Sequence, residues 1–117
     1  MKRPHEDLKV WQEAMRLAEN VYAFAARLPR NETYGLAAQM RRAAVSIPSN
    51  LAEGAARGTT KEFLQFVIIA RGSISELETQ IELGKRLHSI TIPDDLATRL
   101  NNVFGLLNGL INSLRRR

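Results

Sequence analysis

The chain has 117 residues, 44% of them apolar and 25% charged, an ordinary globular balance that excludes a disordered chain and fits one domain spanning 1–117. Seventeen Lys and Arg against twelve Asp and Glu give a net charge of +5, which favours polyanionic partners, and the lack of cysteine excludes disulfides, thiolate metal sites and cysteine nucleophiles. The start, Met1-Lys2-Arg3-Pro4-His5, has no apolar signal core, and no apolar run approaches the roughly 18 to 20 residues that cross a bilayer, so a cytoplasmic protein with no membrane partner is expected.

Leu8, Trp11, Met15, Ala18, Tyr22 and Ala25 step by three and four, and Val10, Ala14, Leu17, Val21, Phe24 and Leu28 form a second seam beside them. This predicts a first helix over about 7–28 that is apolar around half its circumference, wider than one bundle seam needs. Pro29 closes it, and Asn31 with Glu32 supplies a cap and first-turn acid for a second helix over about 32–57. Inside that helix lies the least generic stretch, QMRRAAVSIPSNLAEG from Gln39 to Gly54. Leu36, Met40, Ala44, Ile47, Leu51 and Ala55 keep one face against a core, and Pro48 removes one backbone donor within it, which predicts a kinked helix. Arg42, Ser46, Asn50, Glu53 and Arg57 line the other face. Gly58 ends the helix.

Thr59 and Glu62 fit a capping box for a third helix over about 60–89, with Phe63, Val67, Ala70, Ile74, Leu77, Ile81 and Gly84 as its seam. Its opening, FLQFVIIA, is apolar on nearly every side; the competing reading is a short buried strand. Thr91, Pro93, Asp94 and Asp95 start a fourth helix over about 93–115. Short connections then give an all-α, antiparallel up-down-up-down four-helix bundle. The surplus apolar surface predicts a homo-oligomer whose contacts include Trp11, Phe63, Phe66 and Ile69.

Folding the third helix back on the second sets the small run 43–46 near Gly72 and Ser73, where two backbones can approach closely, and sets Arg41 near Glu76. Ion pairs among Arg41, Arg42, Glu76 and Glu78 are the expected structural use of those charges, and local backbone bonds that of Ser46, Ser49 and Asn50 beside Pro48. The polar motif, Arg41, Arg42, Ser46, Asn50, Glu53 and Glu76, then serves assembly, with a ligand site as the competing reading. The same topology gathers Lys2, Arg3, Lys9, Arg57, Lys61, Arg115, Arg116 and Arg117 at one end, against Glu6, Asp7, Glu53 and Glu62. Of these, Lys2, Arg3, Arg57, Lys61, Arg115, Arg116 and Arg117 are the candidate nucleic-acid contacts; solvated charges complementing a helix terminus are the plainer reading.

Enzymatic chemistry finds little to work with. His5 and His88 stand apart, with no Glu-x-x-His pair, no HExxH, and no arginine four to six residues before a histidine as helical nucleases of the HEPN class require. No phosphate-cradling glycine loop follows a strand. No catalytic residue, metal or cofactor is expected.

The segments Leu8-Lys9-Val10-Trp11-Gln12, Tyr34-Gly35-Leu36, Gln39-Met40-Arg41-Arg42-Ala43, Ser46-Ile47-Pro48-Ser49-Asn50-Leu51-Ala52-Glu53-Gly54 and Gly72-Ser73-Ile74-Ser75-Glu76-Leu77-Glu78 resemble the 23S rRNA-intervening-sequence proteins, also called four helix bundle proteins. The resemblance covers roughly residues 8–88. It implies an up-down bundle assembling as a homopentamer and an association with RNA. The fold is also similar to that of the accessory variability determinant proteins, which partner a reverse transcriptase and RNA. Two functions follow as expectations: a non-enzymatic pentamer binding RNA or a reverse-transcriptase-like protein through basic surface, or a structural adaptor that binds no nucleic acid.

Overall fold

The computed structural model of the protein describes residues 2–117. Four helices follow in order, α1 (Lys9–Ala25), α2 (Leu36–Ala56), α3 (Thr60–His88) and α4 (Asp94–Arg115), with a 3₁₀ turn, Arg30–Glu32, between the first two. Both α1 and α3 pack on α2 and on α4, while the diagonal pairs do not meet, so the four close a ring around one core. Residues 63–70 lie within α3 and no strand occurs among the described residues, which removes the buried-strand alternative. The seams of α1 to α3 meet as their spacing requires: Leu17 and Phe24, Met40, Ile47 and Leu51, and Ile74, Leu77 and Ile81 are at most 1% exposed, and Leu96, Leu107 and Ile111 of α4 are buried against them to the same degree. Each such side chain contributes about 1.5–3 kcal/mol of apolar burial.

Contacts along α2 and α3 run in opposite directions, Met40 near Gly84, Ser46 on Ser73 and Gly54 against Phe66. On the other side, Asn20 meets Arg99 and Arg27 meets Thr91. The Arg99 guanidinium bridges Glu13 at 2.6 Å and Asn20 at 2.8 Å, and Arg71 reaches Asn108 at 3.0 Å, so part-buried polar clamps tie α4 to both its neighbours.

Helix ends follow local chemistry. Gly58, with φ +88°, takes the left-handed conformation that stops α2. The Thr59 hydroxyl then accepts the Glu62 amide at 3.2 Å to start α3. Two boundaries differ from the sequence expectation. α1 ends at Ala25, short of the expected 28, and α2 begins at Leu36, with Asn31 inside the 3₁₀ turn without capping it. The cap is Glu32: one carboxylate oxygen accepts the Leu36 amide at 3.2 Å, and the other accepts from His88 Nε2 at 2.7 Å. Gly35 leaves the room, since a β-carbon there would lie 2.8 Å from that carboxylate.

The close helix approach is also displaced. Gly72 is exposed and a β-carbon on it would meet nothing, because it points away from α2. The tight position is Gly54, where a β-carbon would come within 2.6 Å of Phe66 Cβ and 3.1 Å of the Phe63 ring. Gly54→Ala is therefore expected to destabilise the fold by about 1–3 kcal/mol through overpacking, despite the gain in helix propensity. Gly72→Ala is expected to stabilise it by about 0.5–1 kcal/mol. Denaturant unfolding of the two variants checks the pair, and equal signs would contradict the placement.

Glu32 is held below the usual carboxylate range, first by the His88 hydrogen bond and then by the Leu36 amide. A carboxyl so depressed adds stability that is present above its unfolded pKa of about 4.3 and is lost as pH falls through the lower folded value. In His88→Ala the Glu32 titration, followed by NMR, is expected to move up toward that ordinary range, and the acid-side stability loss tied to this group to shrink.

Candidate functional site

Three surfaces carry the residues that the sequence singles out. The first is the end of the bundle where the N-terminal segment, the α2–α3 turn and the C-terminus converge. Pro4, Leu8, Gly58, Thr59, Phe63 and Arg117 all border one small hollow there. Two of its cations are engaged. Lys2 meets Asp7 at 3.1 Å, both well exposed. The Arg57 guanidinium lies 2.7 Å from Glu53, 3.7 Å from Glu62 and 5.0 Å from the centre of the Phe66 ring. Glu53, first among these causes, raises its pKa further. The fixed geometry makes Arg57 a brace between α2 and α3. By contrast Arg3, Lys9, Lys61, Arg115, Arg116 and Arg117 are exposed and form no ion pair among the described residues.

The second surface is a polar groove of about 500 Å³ between α2 and α3, lined by Gln39, Arg42, Ala43, Ser46, Asn50, Ile69, Ser73, Glu76 and Gln80. Its floor is internally bonded. Ser46 Oγ lies 2.7 Å from Ser73 Oγ and 2.7 Å from the Ala43 carbonyl, and Asn50 Nδ2 donates to the Ser46 carbonyl at 2.7 Å. These are the local bonds expected beside Pro48 for Ser46 and Asn50, joined by one hydroxyl contact across the helices, whereas Ser49 is exposed and its hydroxyl makes no such bond among the described residues. The expected ion pairs are absent: Arg41, Arg42, Glu76 and Glu78 make none with one another. Arg41 turns the other way, donating to the Thr33 carbonyl at 3.0 Å and lying 6.0 Å from the centre of the Tyr22 ring. Arg42, Glu76 and Glu78 are exposed, so water satisfies them and no protein partner is required.

The description of the 23S rRNA-intervening sequence proteins matches residues 6–109. The chain belongs to that family. No curated protein matches it. In this member of the 23S rRNA-intervening sequence proteins the match takes in all of α1 to α3 and most of α4, beyond the residues 8–88 covered by the sequence resemblance. The motif from Gln39 to Gly54 supplies both the groove wall, through Arg42, Ser46 and Asn50, and the tight helix contact, through Gly54.

The third surface is an apolar groove of about 730 Å³ between α1 and α2, bordered by His5, Trp11, Met15, Tyr22, Val45 and Pro48. His5 stands edge-on to Trp11 at 4.9 Å. Met15 and Tyr22 are 45% and 48% exposed, which locates the excess width of the first helix's apolar stripe, and Val45 of α2, 42% exposed, borders the same groove. Of the four proposed contact residues, Trp11 borders this groove and Ile69, 52% exposed, borders the polar one. Phe63 and Phe66 have partners in their own chain, above Gly54, so they are half-buried packing residues here.

Sequence reasoning missed Gln80. It is 6% exposed, and its Oε1 is buried with no hydrogen-bond partner. The only sequence signal is position: Gln80 lies four residues from Glu76 and seven from Ser73, on one helical face. Leaving a buried polar atom unpaired costs about 1–3 kcal/mol. Gln80→Met, of similar shape without the amide, is expected to raise stability by about 1 kcal/mol in denaturant unfolding. A loss of stability would show that the amide is held by a bond.

Proposed function

We propose that this chain is a non-enzymatic, cytoplasmic homo-oligomer, a pentamer, that binds RNA through its basic end. One observation supports the RNA reading: Arg3, Lys9, Lys61, Arg115, Arg116 and Arg117 are exposed, form no ion pair among the described residues, and belong to the chain segments that converge at one end of the bundle. Free cations at one site exchange counterions for phosphates, and the family name points to ribosomal RNA as the polyanion.

Assembly is supported by apolar surface on two separate faces. The α1–α2 groove exposes Met15, Tyr22 and Val45, while α3 exposes Ile69, Leu83 and Leu87. A contact between two different patches is head-to-tail, and such contacts form a ring where the rotation between successive copies closes. Five copies would bring five basic ends together and multiply phosphate contacts. The groove also favours a second reading, a structural adaptor that receives an apolar partner helix, of a reverse-transcriptase-like protein for example, and binds no RNA.

Filter binding to structured ribosomal RNA across a salt series separates these readings. The expected result is affinity that falls with salt by about 0.7–0.9 units of log–log slope per phosphate neutralised, with a smaller slope in Arg115→Ala/Arg116→Ala/Arg117→Ala. No binding would leave the adaptor. Light scattering is expected to give five copies, and Tyr22→Asp in the apolar groove to lower that number by placing a charge in a dry contact. A monomeric wild-type chain would overturn the assembly.

A further inference from the structure

We propose that the polar groove between α2 and α3 recognises a single unpaired guanine base of RNA. The inference rests on the RNA reading above and adds a base-reading site to the phosphate-contacting end. Four side chains lining this groove have no hydrogen-bond partner among the described residues: Gln39, Arg42, Glu76 and Gln80. Ser46 and Ser73 are bonded to each other below them and leave this upper set free. Gln80 is the most informative member. It is more than nine-tenths buried, yet its Oε1 meets nothing, so no internal bond fixes which way its amide turns. An amide placed so can present either a donor or an acceptor to an occupant of the groove.

The charges select the occupant. Arg42 offers donors and Glu76 only acceptors on the same groove. A phosphate or carboxylate would satisfy Arg42 and be repelled by Glu76; an ammonium would do the reverse. The occupant must therefore be neutral and carry acceptors on one edge and donors on another. Guanine does this. Its O6 and N7 accept the forked donors of an arginine, while its N1–H and N2–H₂ are adjacent donors that match both oxygens of one carboxylate. Adenine and cytosine lack that donor pair, and uracil flanks its one N–H with carbonyls that a carboxylate repels. The exposed Ile69 side chain offers an apolar surface to the base.

Position joins the groove to the basic end. Arg42 lines the groove and Arg57 lies fifteen residues further along the helix toward the α2–α3 turn, about 22 Å at 1.5 Å per residue. A single strand that spans this length with its phosphates at the basic end can place one unstacked base between Arg42 and Glu76, and unpaired bases are the part of RNA that proteins read by their edges.

The test uses fluorescence anisotropy with the full chain and short single-stranded RNAs, one of adenosine and uridine only and one with a single central guanosine. The guanosine strand is expected to bind about tenfold more tightly. Glu76→Gln, an exposed position whose thermal unfolding should be unchanged, is expected to abolish that preference without altering the salt slope, because Glu76 touches no phosphate. The triple terminal-arginine variant is expected to weaken both strands alike and keep their ratio. Equal binding of the two strands by the wild type would overturn the guanine site and leave the basic-end reading standing. If neither strand binds, the basic-end reading falls, and titration with guanosine monophosphate decides the groove alone. Shifts of the Gln80 side-chain amide and Ser73 with that nucleotide, and not with adenosine monophosphate, support it; no shift overturns it.

Discussion

The contact on which the molecule turns is the one between Gly54 and the Phe63 and Phe66 side chains. A helix pair separated by ordinary side chains would hold α2 and α3 further apart at this end. Here the missing β-carbon lets Phe66 sit within 2.6 Å of where that carbon would be, and Arg57 closes over the ring at 5.0 Å. With that end fixed, Ser46 and Ser73 meet at 2.7 Å further along, and the groove above them takes its width. Apolar packing and polar geometry on this face are therefore two results of one close approach.

Charge is divided by use. Where a cation braces the fold it is held by several groups, as Arg57 is by Glu53 and Glu62, and Arg99 by Glu13 and Asn20. Where it is free it is exposed, as at Arg115, Arg116 and Arg117. Such free cations cost the fold little and keep their full field for an outside anion. The histidines divide in the same way: His88 holds the Glu32 cap of α2, and His5 covers the edge of Trp11 beside the apolar groove.

Helix number, order and core were legible because apolar spacing is a one-dimensional signal. Leu17, Ile47, Ile74 and Leu107 fall on seams that can only point inward. Gly58 and Thr59 were legible because a left-handed turn and a side-chain cap are local. The cap at Glu32 was not, since it depends on His88 from the far end of α3. Nor was the role of Gly72, which equal counting from the turn put at a close approach and which faces solvent. The Arg41–Glu76 pair failed for a related reason: two residues at similar height can still point to different sides, and Arg41 points toward Thr33 and Tyr22.

The sequence by itself determined four amphipathic helices, their turns, the basic excess and the motif that places the chain among the 23S rRNA-intervening sequence proteins. Tertiary structure alone decided which polar side chains are left without partners, Gln80 foremost, and which apolar ones remain uncovered. Periodicity reports which face of a helix turns inward, whereas satisfaction of a hydrogen bond depends on distances between helices, and those are set only when the helices pack.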